Sequence, residues 1–333
     1  MCQYYLLQYH LSRHQSVESI NNLINLQYHV FPIGFSLPCT IVLLEHFFCQ
    51  LDYSQCLRLI DNLIRFWWPH LSSRGKLELA KLKSISLMIE LKQGSLESAI
   101  LSGYFAKRLL TGYHENIFLI ETCIHLTLAL IGEMRIANIE LILQHLEYLS
   151  EQTMNCYAKL WYYILVIDVA VELGYELIPI TMNFLENITK YRKKLPNGPY
   201  QRSLLIVYSD CTLAQIYLRL GRLTMSKKHF QQALYQIKYD QMYLTSVDFR
   251  FKRALLKLIE TQLIYCYYTK EFDDTLTKDS FLLHSISEHI NESLVPWHRT
   301  RYLIYHGYYD RLINDYRRER ELPIDVSTPH DHG

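Results

Sequence analysis

Residues 213–234 read LAQIYLRLGRLTMSKKHFQQAL, and the spacing around Gly221 decides the fold. A small residue, Ala214, stands seven positions before the glycine, and an aromatic, Tyr217, four before it. Leu223, Ser226, Phe230, Ala233 and Leu234 follow at two, five, nine, twelve and thirteen positions. Two apolar stripes at helical spacing, joined by a glycine, predict an antiparallel helical hairpin. Ala214, Ser226 and Ala233 let the helices approach closely, while Tyr217, Phe230 and Leu234 fill the space towards neighbouring hairpins. Gly221 supplies the backbone freedom for the reversal.

The same pattern recurs around other turns. At Leu51 the series is Leu43, Phe47, Tyr53, Cys56, Ile60 and Leu63, and LDYSQ places an Asp where the second helix begins. At Gly94 it is Leu96, Ala99 and Ala106; at Gly132 it is Leu128, Met134, Ala137 and Leu141. Gly174 keeps the turn and puts Pro179 in the first turn of the next helix, where proline is tolerated. YCYYTKEFDDTL keeps Phe272 after a turn at Lys270. Successive turns lie 43, 38, 42, 47 and 49 residues apart. Periods of this length signal stacked helical hairpins. These residues resemble the tetratricopeptide repeat, with one well-formed copy and about five divergent ones across roughly residues 40 to 290. The resemblance implies an all-α, right-handed α-solenoid. A non-repetitive helical bundle is the competing reading, because all hairpins need small residues where helices cross.

Composition narrows the classes. The chain has 333 residues, 50% of them hydrophobic and 20% charged, enough for a large core and unlike a disordered tail. With 34 basic and 33 acidic residues it carries no overall field that would attract nucleic acid or an anionic membrane. Only 11 Gly and 9 Pro are present, which argues against dinucleotide folds, P-loops and β-rich folds. MCQYYLLQYHLSRH at the start does not read as a secretory signal, so a cytoplasmic location is expected. The eight cysteines are scattered singly and read as buried thiols. In 160–180, Asp168, Glu172 and Glu176 recur four apart, which argues against a membrane span and predicts a solvated helix face.

The densest break, RKKLPNGPY at 192–200, divides the array into residues 39–195 and 200–295. Residues 1–38, ending in FPIGFSLP, read as a partial repeat or cap, 296–322 as a capping helix and 323–333 as a polar tail.

No motif carries chemistry with conviction, and neither a catalytic residue, a cofactor nor a metal is assigned. Asp273 and Asp274 begin a magnesium-binding pattern of the kind an all-helical diphosphate enzyme needs, but Thr277 stands where the third acid should be. Asn314-Asp315 lacks the partners for a second metal site. His10 and His14 are four apart without a third ligand, and His330 and His332 flank Asp331 in the tail. The sequence holds 27 tyrosines, which in a repeat array serve as core rings with polar tips. Arg301, Tyr302, Tyr305, Tyr309, Arg317 and Arg318 form the best candidate for a partner-facing surface, with an amphipathic cap as the plainer reading. YRKK at 191–194 reads as a solvated helix end.

VYSDCTLAQIYLRLGRLTMSKKHFQQAL and AKLWYYILVIDVAVELGYEL are also similar to the C-terminal regulatory region of the soluble, bicarbonate-responsive adenylyl cyclases. That resemblance implies a regulatory tail or short relative in cyclic-nucleotide signalling. It implies no cyclase activity, because the paired catalytic domains and a Gly-rich phosphate loop are missing. The expectation is therefore a non-catalytic interaction or regulatory module that binds a protein or peptide, without nucleic acid and without a membrane span. An all-helical enzyme using Asp273 and Asp274, and a fragment of a larger signalling ATPase, stand as alternatives. Replacing Ala233 by Leu should destabilise the Gly221 hairpin by about 1–3 kcal/mol through overpacking, measured by urea denaturation; an unchanged midpoint would count against the repeat alignment.

Overall fold

The computed structural model describes Phe47 and residues 52–68, 71–113, 116–133, 135–173, 178–195, 200–239, 249–269 and 311. Every regular element among them is helical: α1 (Tyr53–Trp67), α2 (Ser73–Gln93), α3 (Leu96–Tyr113), α4 (Asn116–Gly132) and α5 (Ile139–Gln152) are followed by α6 (Cys156–Leu173), α7 (Ile178–Arg192), α8 (Tyr200–Arg219), α9 (Leu223–Tyr239) and α10 (Phe249–Thr269). None of these helices is long and apolar enough to cross a membrane. The chain forms two compact units, Met1–Tyr162 and Tyr163–Gly333, and the division falls inside α6. The expected cap 1–38, the tail 323–333 and residues 196–199 of the Pro/Gly-rich break lie outside the described residues.

Capping explains where the helices begin and end. Asp52 accepts a hydrogen bond from the Gln55 amide at the start of α1, and Ser72 accepts one from Gly75 at the start of α2. At the end of α2, Gly94 is left-handed (φ 79°), its N–H donates to Leu91 O, and the next N–H, of Ser95, reaches back to Glu90 O. The same pair of bonds closes α8, where Gly221 has φ 70° and donates to Leu218 O while Arg222 donates to Tyr217 O. A third copy closes α5, but there Met154 takes the left-handed position at φ 51° and Asn155 then caps α6 by accepting from Tyr157 and Ala158. Nothing in the residue type announces that turn.

In the first unit the helices from α1 to α5 each pack on the next, and α2 also packs on α4. Side-chain pairs show that neighbours run antiparallel: Lys92 donates to Tyr53 and Lys83 to Asp61, two pairs that close about the same turn between α1 and α2. Alternate helices are held in register by buried and half-buried polar side chains. Thr122 Oγ1 donates to Phe118 O, which leaves Ser84 Oγ to donate to Thr122 Oγ1 at 2.8 Å across α2 and α4, 38 residues apart. Tyr157 then donates to Glu121 at 2.7 Å, 36 residues apart, between α6 and α4. Gly103 of α3 faces α4 so closely that a Cβ would lie 2.9 Å from Leu126 Cδ1. The series expected after Gly132 needs correction: Ala137 and Leu141 are exposed. A 3-10 turn over Ile136–Asn138 advances the chain by three residues per turn, so the inward stripe is Ile139, Ile142, Leu143 and Leu146.

In the second unit, α8 packs on α7, α9 and α10. Ser226 Oγ donates to Ala214 O at 2.8 Å within the Gly221 hairpin, so one small side chain both permits the close approach and bonds across it. Ala214 and Ala233 are completely buried and Phe230 nearly so. Between α8 and α10, Tyr208 meets Arg253, Thr212 meets Lys257 and Gln215 meets Glu260, each pair 45 residues apart. A constant offset along two helices means that they run parallel in one register, as equivalent helices of adjoining repeats do.

This register encloses a buried ionic cluster, which overturns the expectation of a solvated stripe at Asp168 and Glu172. The Asp168 side chain is 0% exposed. Its carboxylate receives Lys257 Nζ and the Tyr208 hydroxyl at 2.7 Å, and Arg253 Nη2 donates to Glu172 at 3.0 Å. Two acids thus face two cations. Burial pulls the Lys257 ammonium below its ordinary value, with Asp168 acting in the opposite sense. Burial and the Asp168 carboxylate push the Tyr208 phenol well above its usual range, so it stays a neutral donor. Burial opposes the Arg253 charge, but Tyr208, Asp168 and Glu172 more than offset it. Lys257→Met leaves Asp168 short of a cation and should cost about 3–5 kcal/mol, whereas Asp168→Leu/Lys257→Met, which keeps the Glu172–Arg253 pair, should cost less. Urea midpoints of the two variants check this, and a double variant weaker than the single would contradict it.

Candidate functional site

The site builds up from α7 and α8 of the second unit. α7 begins with Pro179 in its first turn, as read from the sequence. Leu185 and Ile188 are buried, and on the same helix Phe184 and Tyr191 pack against Tyr163 of α6, at 5.1 Å edge-on and 5.8 Å stacked. This leaves Glu186, Thr189 and Lys190 exposed, with Lys193 and Lys194 exposed in the turn that closes the helix. Lysines suit that end, because the last carbonyls of a helix are electronegative. Lys190 and Lys194 both lie over the Tyr191 ring, at 5.8 and 5.9 Å from its centre.

These residues line one side of an open groove of about 530 Å³, and Tyr217 of α8 lines the other. Its floor is the buried Leu185. The polar wall carries three ammonium groups against one carboxylate, Glu186.

Asp210 of α8 holds both walls. Its side chain is 2% exposed and receives Arg192 through two bonds, Nη1 to Oδ1 at 2.6 Å and Nη2 to Oδ2 at 2.8 Å. The paired geometry fixes the guanidinium plane as well as its distance. His229 Nδ1 of α9 donates to Asp210 Oδ1 at 2.8 Å, and the His229 ring stacks on Tyr217, 5.5 Å between centres and 8° from parallel. Arg192 thus locks the lysine-bearing end of α7, while His229 locks Tyr217. The expectation of YRKK as a solvated end is corrected in part: Lys193 and Lys194 are exposed, but Arg192 turns inward to a buried acid.

Of the residues singled out in the sequence, Tyr217, Lys193 and Lys194 lie in this site, and Ala214, Gly221, Phe230 and Ala233 form the hairpin that carries Tyr217. Arg301, Tyr302, Tyr305, Tyr309, Arg317 and Arg318 lie outside the described residues, as do Asp273, Asp274, His10, His14, His330 and His332. Arg311, from the same arginine-rich stretch, is helical and exposed. The sequence reading gives no role to Asp210 or His229 and places Arg192 in solvent. The available signal is an acid in the first helix of the best repeat, eleven residues before Gly221, and a histidine in the second, eight after it.

The groove offers ammonium groups, a hydroxyl, a phenol and one carboxylate, a set suited to recognition of an anionic ligand. Thiols are placed elsewhere: burial, together with Asp52, pushes Cys56 up to about 11, and burial pushes Cys123 up to about 12. Such thiols are poor nucleophiles at neutral pH. Among the described residues no group of three or more His, Cys, Asp or Glu side chains is placed to hold a metal ion.

Asp210→Asn keeps the shape but removes the charge that orders Arg192 and His229. It should lower stability by about 1.5–3 kcal/mol, the range for hydrogen bonds to charged groups. Arg192→Lys, which loses the paired geometry, should cost less than Asp210→Asn; urea denaturation ranks the two, and the reverse order would contradict the assignment of Asp210 as the hub.

No protein-family profile matches the chain, and no curated protein matches it. Among solved structures it is similar to the crystal structure of a Rap protein complexed with competence and sporulation factor, with 13% identity and a TM-score of 0.48 over 93% of this chain and 83% of that one.

Proposed function

We propose that this chain is a non-catalytic helical-repeat interaction module, and that the α7/α8 groove of its second unit holds a segment of a partner protein. The observation that carries this reading is the Asp210 hub. One buried carboxylate orders both walls of a surface groove, and ordered walls reduce the entropy lost when a ligand binds. Equivalent helices of stacked hairpins leave side chains free of packing, which is where repeat proteins bind their partners. The Arg301–Arg318 cluster stands as a second proposed surface. A role in cyclic-nucleotide signalling, as a regulatory tail or as part of a larger signalling ATPase, rests on the cyclase resemblance. So does the view that cyclase chemistry belongs to domains other than this one. The enzymatic alternative through Asp273 and Asp274 is tested by magnesium and diphosphate titration calorimetry, in which saturable binding lost in Asp273→Ala would favour it.

The groove itself is tested with a photo-crosslinking amino acid placed in the full chain in cells. Placed at Thr189, on the groove, it should yield a discrete adduct with a partner protein. At Leu101, which is 68% exposed on α3, it should not. Adducts equal at both positions, or none at Thr189, would overturn this site.

A further inference from the structure

We infer that the segment held in the groove is acidic, a run of glutamate or aspartate interspersed with apolar residues; this rests on the proposed interaction site. Charge complementarity is the first argument. Lys190, Lys193 and Lys194 are exposed on the groove and Glu186 is its one carboxylate, within a chain whose acids and bases otherwise nearly balance. The local excess of positive charge is therefore a property of this surface and not of the whole molecule. The second argument is the type of cation. A single phosphate is best met by the fork of an arginine or by converging backbone amides. Here the arginine, Arg192, is consumed by Asp210, and what faces outward is three separate ammoniums on flexible stems. Point charges spread along a helix end and its turn suit several carboxylates better than one compact anion. The third is the aromatic wall. Tyr217, half-buried, gives contact area for apolar residues between the acids, which a bare polyanion would leave unused. Tyr217 is held for that contact by His229, and His229 by Asp210.

Fluorescence anisotropy on the full chain tests this with three labelled probes of equal length: a peptide of mixed Glu and Leu, its Gln-for-Glu counterpart, and a single-stranded oligonucleotide. The acidic peptide should bind, the neutral one should bind at least about tenfold more weakly, and added salt should weaken the acidic complex. Lys190→Glu/Lys193→Glu/Lys194→Glu should reduce affinity on the order of tenfold or more, since each exposed pair contributes modestly. Because reversed charge also disfavours a helix end, Lys190→Gln/Lys193→Gln/Lys194→Gln serves as a second variant and should weaken binding with an unchanged helical circular dichroism spectrum. Glu186→Lys should tighten it. Equal binding of the neutral peptide, insensitivity to all lysine substitutions, or tighter binding of the oligonucleotide would overturn the inference. If the acidic peptide fails while the Thr189 adduct persists, the acidic partner is wrong and the interaction site stands; if the peptide binds and the adduct is absent, the cellular role of the groove is what fails.

Discussion

A carboxylate sealed from water needs opposite charge and donors at short range, and the second unit is organised around meeting that demand for Asp168. Lys257, Tyr208 and Thr212 all reach it, with Arg253 bonded to Tyr208 and to Glu172 alongside. These groups come from three helices, α6, α8 and α10. A shift of one turn between α6 and α10 would strand a charge in the core, at a cost of several kcal/mol, and a shift of α8 would withdraw the Tyr208 and Thr212 hydroxyls from Asp168. The cluster therefore sets register, while the apolar contacts around it set affinity between helices without discriminating strongly among registers. In the first unit, single side-chain bonds play the corresponding part: Ser84 with Thr122, and the Tyr157 hydroxyl with the Glu121 carboxylate, join alternate helices at offsets of 38 and 36 residues.

The same logic extends to the surface through Asp210. It sits on α8, the helix that also supplies Tyr208 and Thr212 to the buried cluster, and it faces the other way, towards α7 and α9. One helix thus couples a fully enclosed polar layer to a half-enclosed one. Both layers therefore share the α8 backbone, with Tyr208 and Thr212 on one side and Asp210 on the other. The lysines at the groove edge need no such support, because exposed ammoniums are stabilised by water and by the carbonyls at the end of α7.

Particular residues show how far the sequence could be read. Gly94 and Gly221 were legible as turns, because a left-handed residue at a helix end is strongly favoured to be glycine. Met154 takes the same conformation and escaped notice, because the bonds around it, not its residue type, hold it there. Ala137 and Leu141 were placed inward by extending a helical period through a stretch that a 3-10 turn interrupts. Asp168 and Glu172 were assigned to solvent because acids four apart on one helix are usually wet; the matching cations, Arg253 and Lys257, also four apart, lie more than eighty residues further on.

The residues alone determined what depends on local pattern: helices throughout the described regions, hairpins closed by glycine, and small side chains at Ala214, Ser226 and Ala233 where helices cross. Periodicity and backbone preference act over a few residues, so they survive without knowledge of neighbours. Tertiary structure decided which polar groups are buried, what pairs with them and where a groove opens. Those outcomes depend on desolvation and charge balance between helices distant in the chain, and a carboxylate on an isolated amphipathic stripe carries no mark of which cation will face it.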